Sequence, residues 1–527
     1  MASKTRVFFL NAISLTLTAL FMRGVGMLFN VIVSNRAGSE AMGLYSMLGS
    51  VYGFAITLAS AGINLGTTRL ISDAIGEEKY GLAKKSAKIS VLCCALTGIV
   101  ATVLLFFLAP IIGARFIGDA RAIVPLRILS VSLTPIAICS CLSGYFTAVR
   151  RVKLNASSQV FTQLFRIVAT VFFLSVLGTV GAEQACIALV LGACITEILS
   201  LVISYSLYLI DRRKLNPDTN TSVPTPTITK KLLGITLPVT FSACIRSALT
   251  MLQHVLIPKG LLKSGKNWGQ ALSSYGSLHG MAMPLILFPS AFISAFAGLL
   301  IPEVSECLIQ KNEERLRRVS YRALTLSLIF SIGVSGIMIF YSRELGMTAY
   351  KSVETARYIR IMAPLIPIMY IDGTVDAILK GSGHQVYSMN VNIADALTAC
   401  LFAIFLIPKI GILGYIISIY ATEIMNTTLS LFKMISVSKM KIKLFHQIIM
   451  PILCIIGATN LSALILYLLP NKLDGIGGLI VGIIITVFIY VLMLLITQTI
   501  GKDEWEFINA SLLSKKSYDK RFRKEYQ

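Results

Sequence analysis

Fourteen apolar stretches, each long enough to cross a bilayer, succeed one another along this chain of 527 residues. They fall at about 7–33, 43–66, 88–112, 124–148, 155–178, 184–210, 232–258, 272–300, 320–342, 354–379, 389–408, 411–434, 446–470 and 477–499. About 20 apolar residues in a helix span the hydrocarbon, and inside lipid a helix satisfies its own backbone polar groups. The pattern therefore predicts an all-α polytopic membrane protein. Only 14% of the residues are charged, against roughly 25% in soluble domains.

The formal net charge is +23. In a soluble protein that would point to nucleic acid; here the positive-inside rule accounts for it, and no nucleic-acid partner is expected. An even number of spans puts both termini on one side. Placing them in the cytoplasm, at the plasma membrane, puts most of the 48 Lys and Arg residues inside as well. Lys259, Lys263 and Lys266 run against this trend. The first apolar run is too long for a signal-peptide core and lacks an A-x-A cleavage site, so it is expected to be retained. The ten cysteines fall in apolar or helix-edge stretches without metal spacing and read as small buried hydrophobes.

The chain repeats itself. Arg23 in span 1 pairs with Arg246 in span 7, Asn30 with Gln253, Pro135 with Pro364, and Thr196-Glu197 with Thr422-Glu423, in one order along the chain. The expected domains are an N-lobe over 1–210 (spans 1–6), a Pro- and Thr-rich cytoplasmic linker over 211–231, and a C-lobe over 232–445 (spans 7–12). A hairpin of spans 13 and 14 follows over 446–500, and a basic cytoplasmic tail with interleaved aromatics over 501–527, lying on anionic lipid. Two parallel six-span repeats place a substrate site near mid-membrane between the halves, with access alternating by rocking.

Charges inside the membrane are costly and mark function or helix locking. Arg23 and Arg246 near the middles of their spans, with Asn30 and Gln253 on the same helical faces, read as ligands for an anionic group, and Arg166 is added to that set. Glu197 and Glu423 are candidate neutralising or ion-coupling groups. Arg166 and Asp395 hold one repeat position and would form an ion pair if they met near the axis. Asp372 and Asp376, at i and i+4 in span 10 with Lys380 a turn later, are either an ion-coupling pair or a Lys-paired helix end. Pro284, Pro289, Pro302, Pro364 and Pro367 predict kinks in spans 8 and 10.

Motifs of soluble enzymes are missing. GLLKSGKN, Gly260 to Asn267, lacks the Ser/Thr of a P-loop and lies in an expected external loop. His254, His279, His384 and His446 are scattered, with no H-E-x-x-H. The chain reads as a non-enzyme that needs no cofactor.

Four segments carry a resemblance: MRGVGMLFNVIVSNRAGSEAMGLYSM, TRLISDAIGEEKYGLAKK, TLPVTFSACIRSALTMLQHVLIPKGL and SYGSLHGMAMPLILFPSAFISAFAGLLIPEVSE. They resemble the stage V sporulation protein B group of polysaccharide-biosynthesis transporters, in the superfamily of multidrug and toxin extrusion pumps, O-antigen flippases and lipid II flippases. The resemblance implies a two-lobe fold and movement of a polyprenyl-pyrophosphate-linked sugar or cell-wall precursor to the outer leaflet. Arg23 and Arg246 would then contact the headgroup. Met283 and Pro284 stand where lipid II flippases tend to carry an acidic-basic pair, so the resemblance does not carry lipid II itself over as the substrate. Expected partners are a polyprenyl-linked glycolipid, anionic lipids and cell-wall synthesis enzymes. With no ATPase motif, the drive would be H+, Na+ or the membrane potential. The competing readings are a cation-coupled multidrug exporter of the same fold and a non-transporting scaffold for a wall-synthesis complex.

Overall fold

The computed structural model describes residues 2–77, 79–177, 181–213, 224–440, 444–468 and 475–499, and the regular structure among them is all helical, with no strand. The expected basic tail, and residues 214–223 of the linker, lie outside the described residues. Among the described residues twelve helices are long and apolar enough to cross a membrane; dividing the longest, Phe21–Gly76, at Gly38 and adding Ile412–Ser438 gives fourteen helices that overlie the fourteen apolar stretches. They are α1 (2–37), α2 (39–76), α3 (Tyr80–Ile117), α4 (Ala120–Ala148), α5 (Val152–Val176), α6 (Ala182–Arg213) and α7 (Thr225–Lys263). There follow α8 (268–309), α9 (Glu313–Phe340), α10 (Val353–Gly381), α11 (Gln385–Phe405), α12 (Ile412–Ser438), α13 (Phe445–Leu468) and α14 (Ile476–Ile496).

Two boundaries differ from the sequence reading. No loop joins α1 to α2: Gly38, at φ 81° and ψ 169°, is a single non-helical residue between helical neighbours. A side chain is strained in that conformation, and glycine is not. The stretch expected as one span at 272–300 is instead two helical segments, 268–287 and Ser290–Ile309, broken at Phe288–Pro289 where proline removes a backbone donor.

Proline breaks also carry the imprint of the repeat. α4 is interrupted at Ser132, just before Pro135, and α10 passes through a 3₁₀ turn at Ala363–Leu365 that contains Pro364. Backbone carbonyls at the breaks find side chains: Ser132 Oγ donates to the Leu129 carbonyl at 2.6 Å, and Ser335 Oγ to the Ala363 carbonyl at 2.8 Å.

Packing divides the described chain into two compact units, Met1–Phe288 with Asn392–Thr422, and Pro289–Val391 with Glu423–Gln527. The boundaries fall inside α8, α11 and α12, not at the linker. In the first unit, α2 and the first half of α8 cross at backbone contact. A Cβ added to Gly43 would lie 2.0 Å from the Leu272 carbonyl oxygen, and one added to Gly276 1.9 Å from that of Ser39. Small residues let membrane helices approach this closely and gain dispersion contacts. Ser39 and Ser273 hydroxyls meet at 2.6 Å beside the crossing.

A polar network closes the same end. Arg121 binds Asp119 through two nitrogens and Glu40 at 2.9 Å, and Trp268 Nε1 donates to Asp119 at 2.6 Å. Burial opposes ionisation of Asp119, but the hydrogen bonds from Arg121 and Trp268 outweigh it and hold the carboxyl below its ordinary value. This stabilisation is present above the ordinary carboxylate range and is lost as pH falls through the lowered value.

The second unit is built around Val304, Ala323, Val375, Ile378 and Ala458. α13 and α14 belong to its core: Tyr490 Oη donates to the Ile329 carbonyl at 2.9 Å, and Tyr341 Oη meets Ser462 and Thr486 hydroxyls at 3.2 and 3.1 Å. The pair outside the repeat is thus an integral wall of this unit.

Overpacking a tight crossing costs about 1–3 kcal/mol. Gly276→Ala is expected to lower the melting temperature of the purified protein by several degrees. Gly49→Ala, whose added methyl meets nothing within 4 Å, is expected to leave it unchanged in the same thermal scan.

Candidate anion site and the intramembrane charges

Arg23 and Arg246 both belong to the first unit, and both side chains are exposed. Arg23 lies about 23 Å along α1 from the Gly38 turn and Arg246 about 25 Å along α7 from its Lys263 end, at 1.5 Å per residue. Those two helix ends lie at the same end of the unit, since Lys266, just beyond α7, donates to Ser274 at 2.6 Å while Ser273 meets Ser39. The two guanidinium groups therefore sit at like depth.

Neighbouring contacts fix the helices that carry them. Gly24, next to Arg23, faces the Phe288 ring, and Asn30 Nδ2 donates to the Gly280 carbonyl at 3.2 Å, so α1 runs along α8. Asn30 is thereby a packing contact to α8. Ser247, next to Arg246, accepts from Thr57 at 3.2 Å, and Thr240 donates to the Ala61 carbonyl, so α7 runs along α2. Gln253 is half-buried on α7, two turns from Arg246. α7 is the least enclosed of the long helices, which leaves its polar positions open.

Arg166 does not join this pair and does not meet Asp395. It hydrogen-bonds Tyr45 on α2 and feels the charge of Glu197 on α6. Tyr52, bonded to Ser132, lies in the same field. This is a locked polar cluster among α2, α4, α5 and α6. Asp395 on α11 instead hydrogen-bonds Thr422 on α12, and its buried Oδ1 has no hydrogen-bond partner among the described residues. The expected Arg166–Asp395 pair fails because Arg166 faces Tyr45 on α2 and Glu197 on α6, while Asp395 faces Thr422 on α12.

In the second unit, Asp376 is held by Lys380 at 2.5 Å and by the Ser388 hydroxyl, which is the paired-helix-end outcome. Asp372 is half-buried one turn earlier on α10, and Glu423 is half-buried on α12. A cavity of about 530 Å³ in this unit is walled by α9, α10 and α13, with Leu328, Ile332, Ile368, Ile452 and Ile456 among its apolar lining. The predicted anion ligands Arg23 and Arg246 thus share a depth in one unit. The predicted ion-coupling groups Glu197, Asp395, Asp376, Asp372 and Glu423 are dispersed.

Two groupings escape a reading by spacing. Tyr45 and Tyr52 are unremarkable in sequence, yet they partner the Arg166 cluster. His254 and His279, scattered in sequence, stack with ring centroids 4.5 Å apart. The only sequence signal for the first is a tyrosine pair seven residues apart on one helical face.

Comparison with known proteins places the fold. The model of the polysaccharide biosynthesis protein family matches residues 8–308, and the MatE model matches 265–405. Stage V sporulation protein B of Bacillus subtilis (strain 168) is 27% identical, covering 96% of this chain and 98% of that protein. Lipid II flippase MurJ of the same organism is 21% identical, over 71% of this chain and 73% of its own. Among solved structures, lipid II flippase MurJ in an inward closed conformation has a TM-score of 0.67 at 15% identity, covering 92% of this chain and 99% of that one. An inward-facing multidrug resistance MATE family transporter of the MOP superfamily has a TM-score of 0.60 at 17% identity, covering 81% and 99%. Both likenesses are of fold.

Removing one charge of a half-buried pair strands the other. Arg166→Gln is expected to destabilise the purified protein by about 2 kcal/mol. The double variant Arg166→Gln/Glu197→Gln should recover part of that loss in thermal unfolding, as a coupled pair requires.

Proposed function

The chain belongs to the polysaccharide biosynthesis protein family, and from that premise we propose that it is a membrane transporter that flips a polyprenyl-pyrophosphate-linked sugar or cell-wall precursor from the inner to the outer leaflet. The observation that carries this reading is the pair Arg23 and Arg246, two exposed guanidinium groups at like depth in a membrane interior. A pyrophosphate brings about two negative charges that cannot cross hydrocarbon bare, and guanidinium forks bind phosphate oxygens in pairs. The names of the relatives, a sporulation protein and a lipid II flippase, support a lipid-linked substrate. The apolar cavity among α9, α10 and α13 is suited to isoprenoid units of such a substrate.

Both termini are proposed to face the cytoplasm of a cell bounded by this plasma membrane. The end of the first unit that carries Arg121, Glu40, Asp119 and Trp268 is then its outer end. Transport would be driven by an ion gradient or the membrane potential, and wall-synthesis enzymes would consume the product.

A charge-assisted bidentate contact is worth about 1.5–3 kcal/mol. Arg23→Ala and Arg246→Ala are each expected to slow flipping of a fluorescent polyprenyl-pyrophosphate glycolipid in reconstituted vesicles at least tenfold. Arg→Lys at either site should retain part of the rate. Wild-type flipping by both Ala variants would refute the assignment.

A further inference from the structure

The end of the first unit that carries the Arg121 network also gathers bases with no acid to answer them. The helix ends and turns there hold Arg36, Arg115, Arg121, Lys259, Lys263, Lys266 and Lys409, against the acids Glu40, Asp119 and Glu183. Arg121 takes up both Glu40 and Asp119, and Lys266 donates to Ser274. Arg36, Arg115, Lys259, Lys263 and Lys409 have no ion-pair partner among the described residues.

Four of these bases converge on the last turns of α7. Lys259 Nζ lies 3.5 Å from the Arg115 carbonyl of α3 and 5.8 Å from the centre of the Phe116 ring. Lys263, one turn further on, acts on Lys259 through its charge. The turn between α11 and α12 lies against the same stretch: Ile407 packs on Gly260, and Gly411 lies beside Ser264. Lys409 is carried on that turn.

The patch is amphiphilic. Ile111, one turn before Arg115 on the membrane side of α3, is exposed, as are Leu262 beside Lys263 and Ile410 beside Lys409. A soluble anion would use the charges alone, whereas a lipid uses both kinds of surface. In the topology proposed above this end meets the outer leaflet, where Lys and Arg are ordinarily sparse. Lys259, Lys263 and Lys266 are the residues that run against that trend in the sequence.

The patch is also separate from the mid-depth arginines. Arg36 and Lys259 hold one repeat position, as Arg23 and Arg246 do, and each lies 13 residues beyond the arginine on its own helix. That interval is about 20 Å of helix and about 140° of rotation. The two tiers of bases therefore differ in depth and leave α7 in different directions, so a headgroup held at Arg246 is not in reach of Lys259.

We infer that this patch binds the phosphate of an anionic phospholipid, whose acyl chains lie against Ile111 and Leu262, as a resident lipid of the first unit. Bases at headgroup depth attract anionic lipid, and salt screens the attraction. The inference rests on the patch and not on the substrate proposed above.

Photo-crosslinking of the full-length protein in vesicles tests it. Mixed vesicles of phosphatidylcholine and phosphatidylglycerol carry a diazirine near the headgroup of one lipid or the other at equal trace fraction, and adducts are mapped by mass spectrometry. In peptides covering 111–118 and 259–266, labelling by the phosphatidylglycerol probe is expected to exceed that by the phosphatidylcholine probe at least about threefold. The preference should vanish in Lys259→Gln/Lys263→Gln and in high salt. It should weaken in Arg115→Gln and persist in Lys84→Gln, at the other end of α3. Equal labelling by the two probes, or a preference that survives the double variant, would overturn the proposal. So would displacement of the phosphatidylglycerol probe by a small molar fraction of polyprenyl pyrophosphate, which would make the patch a station for the transported headgroup. No step measures flipping, so failure here and wild-type flipping by the arginine variants are separate results.

Discussion

The first unit depends on a contact in which side chains have no part. Where α2 crosses α8 there is room for hydrogen at Gly43 and Gly276 and for nothing larger. Lipid tails are as apolar as leucine, so membrane helices gain little from burying apolar surface against one another; close backbone approach supplies the attraction instead. The serine contact and the Arg121 network then need only fix the register of two helices already in contact. The turn at Gly38, the first turn of α8 and the α3–α4 connection all converge on that point.

Much of this was legible in the sequence. Span lengths located the helices, because lipid allows few alternatives to a helix. The repeat was legible too, and its proline offsets correspond to real breaks in α4 and α10. The break in α8 was less so: proline at Pro289 signals a kink, but apolar residues continue on both sides, and hydropathy alone reads them as one span. The partners of the charges were least legible. Arg166 finds Tyr45 and Glu197, not Asp395, because a few tens of degrees of helix rotation decide which neighbour a side chain meets, and spacing along one helix does not fix that rotation.

The duplication has kept positions while changing their chemistry. At one repeat position stand Arg166 and Asp395, and at another the dipeptides Thr196-Glu197 and Thr422-Glu423. In the first half the arginine meets a glutamate's field and the charges balance. In the second half the aspartate meets the threonine and keeps an unsatisfied oxygen. Equivalent sites on α5–α6 and α11–α12 thus hold one self-neutralised cluster and one bare carboxylate. Duplicated membrane folds can divide tasks in this way, one copy serving as frame while the other stays chemically open.

Trp268 gives the closed end a further property. The chain has two tryptophans, and Trp268 binds its indole nitrogen to a carboxylate that also holds Arg121. An indole so placed emits according to the charge and hydration of that carboxylate. Separation of α8 from the α3–α4 connection would exchange the carboxylate for water and move the emission. The protein therefore carries, at its most constrained junction, an intrinsic optical gauge of whether that junction is shut.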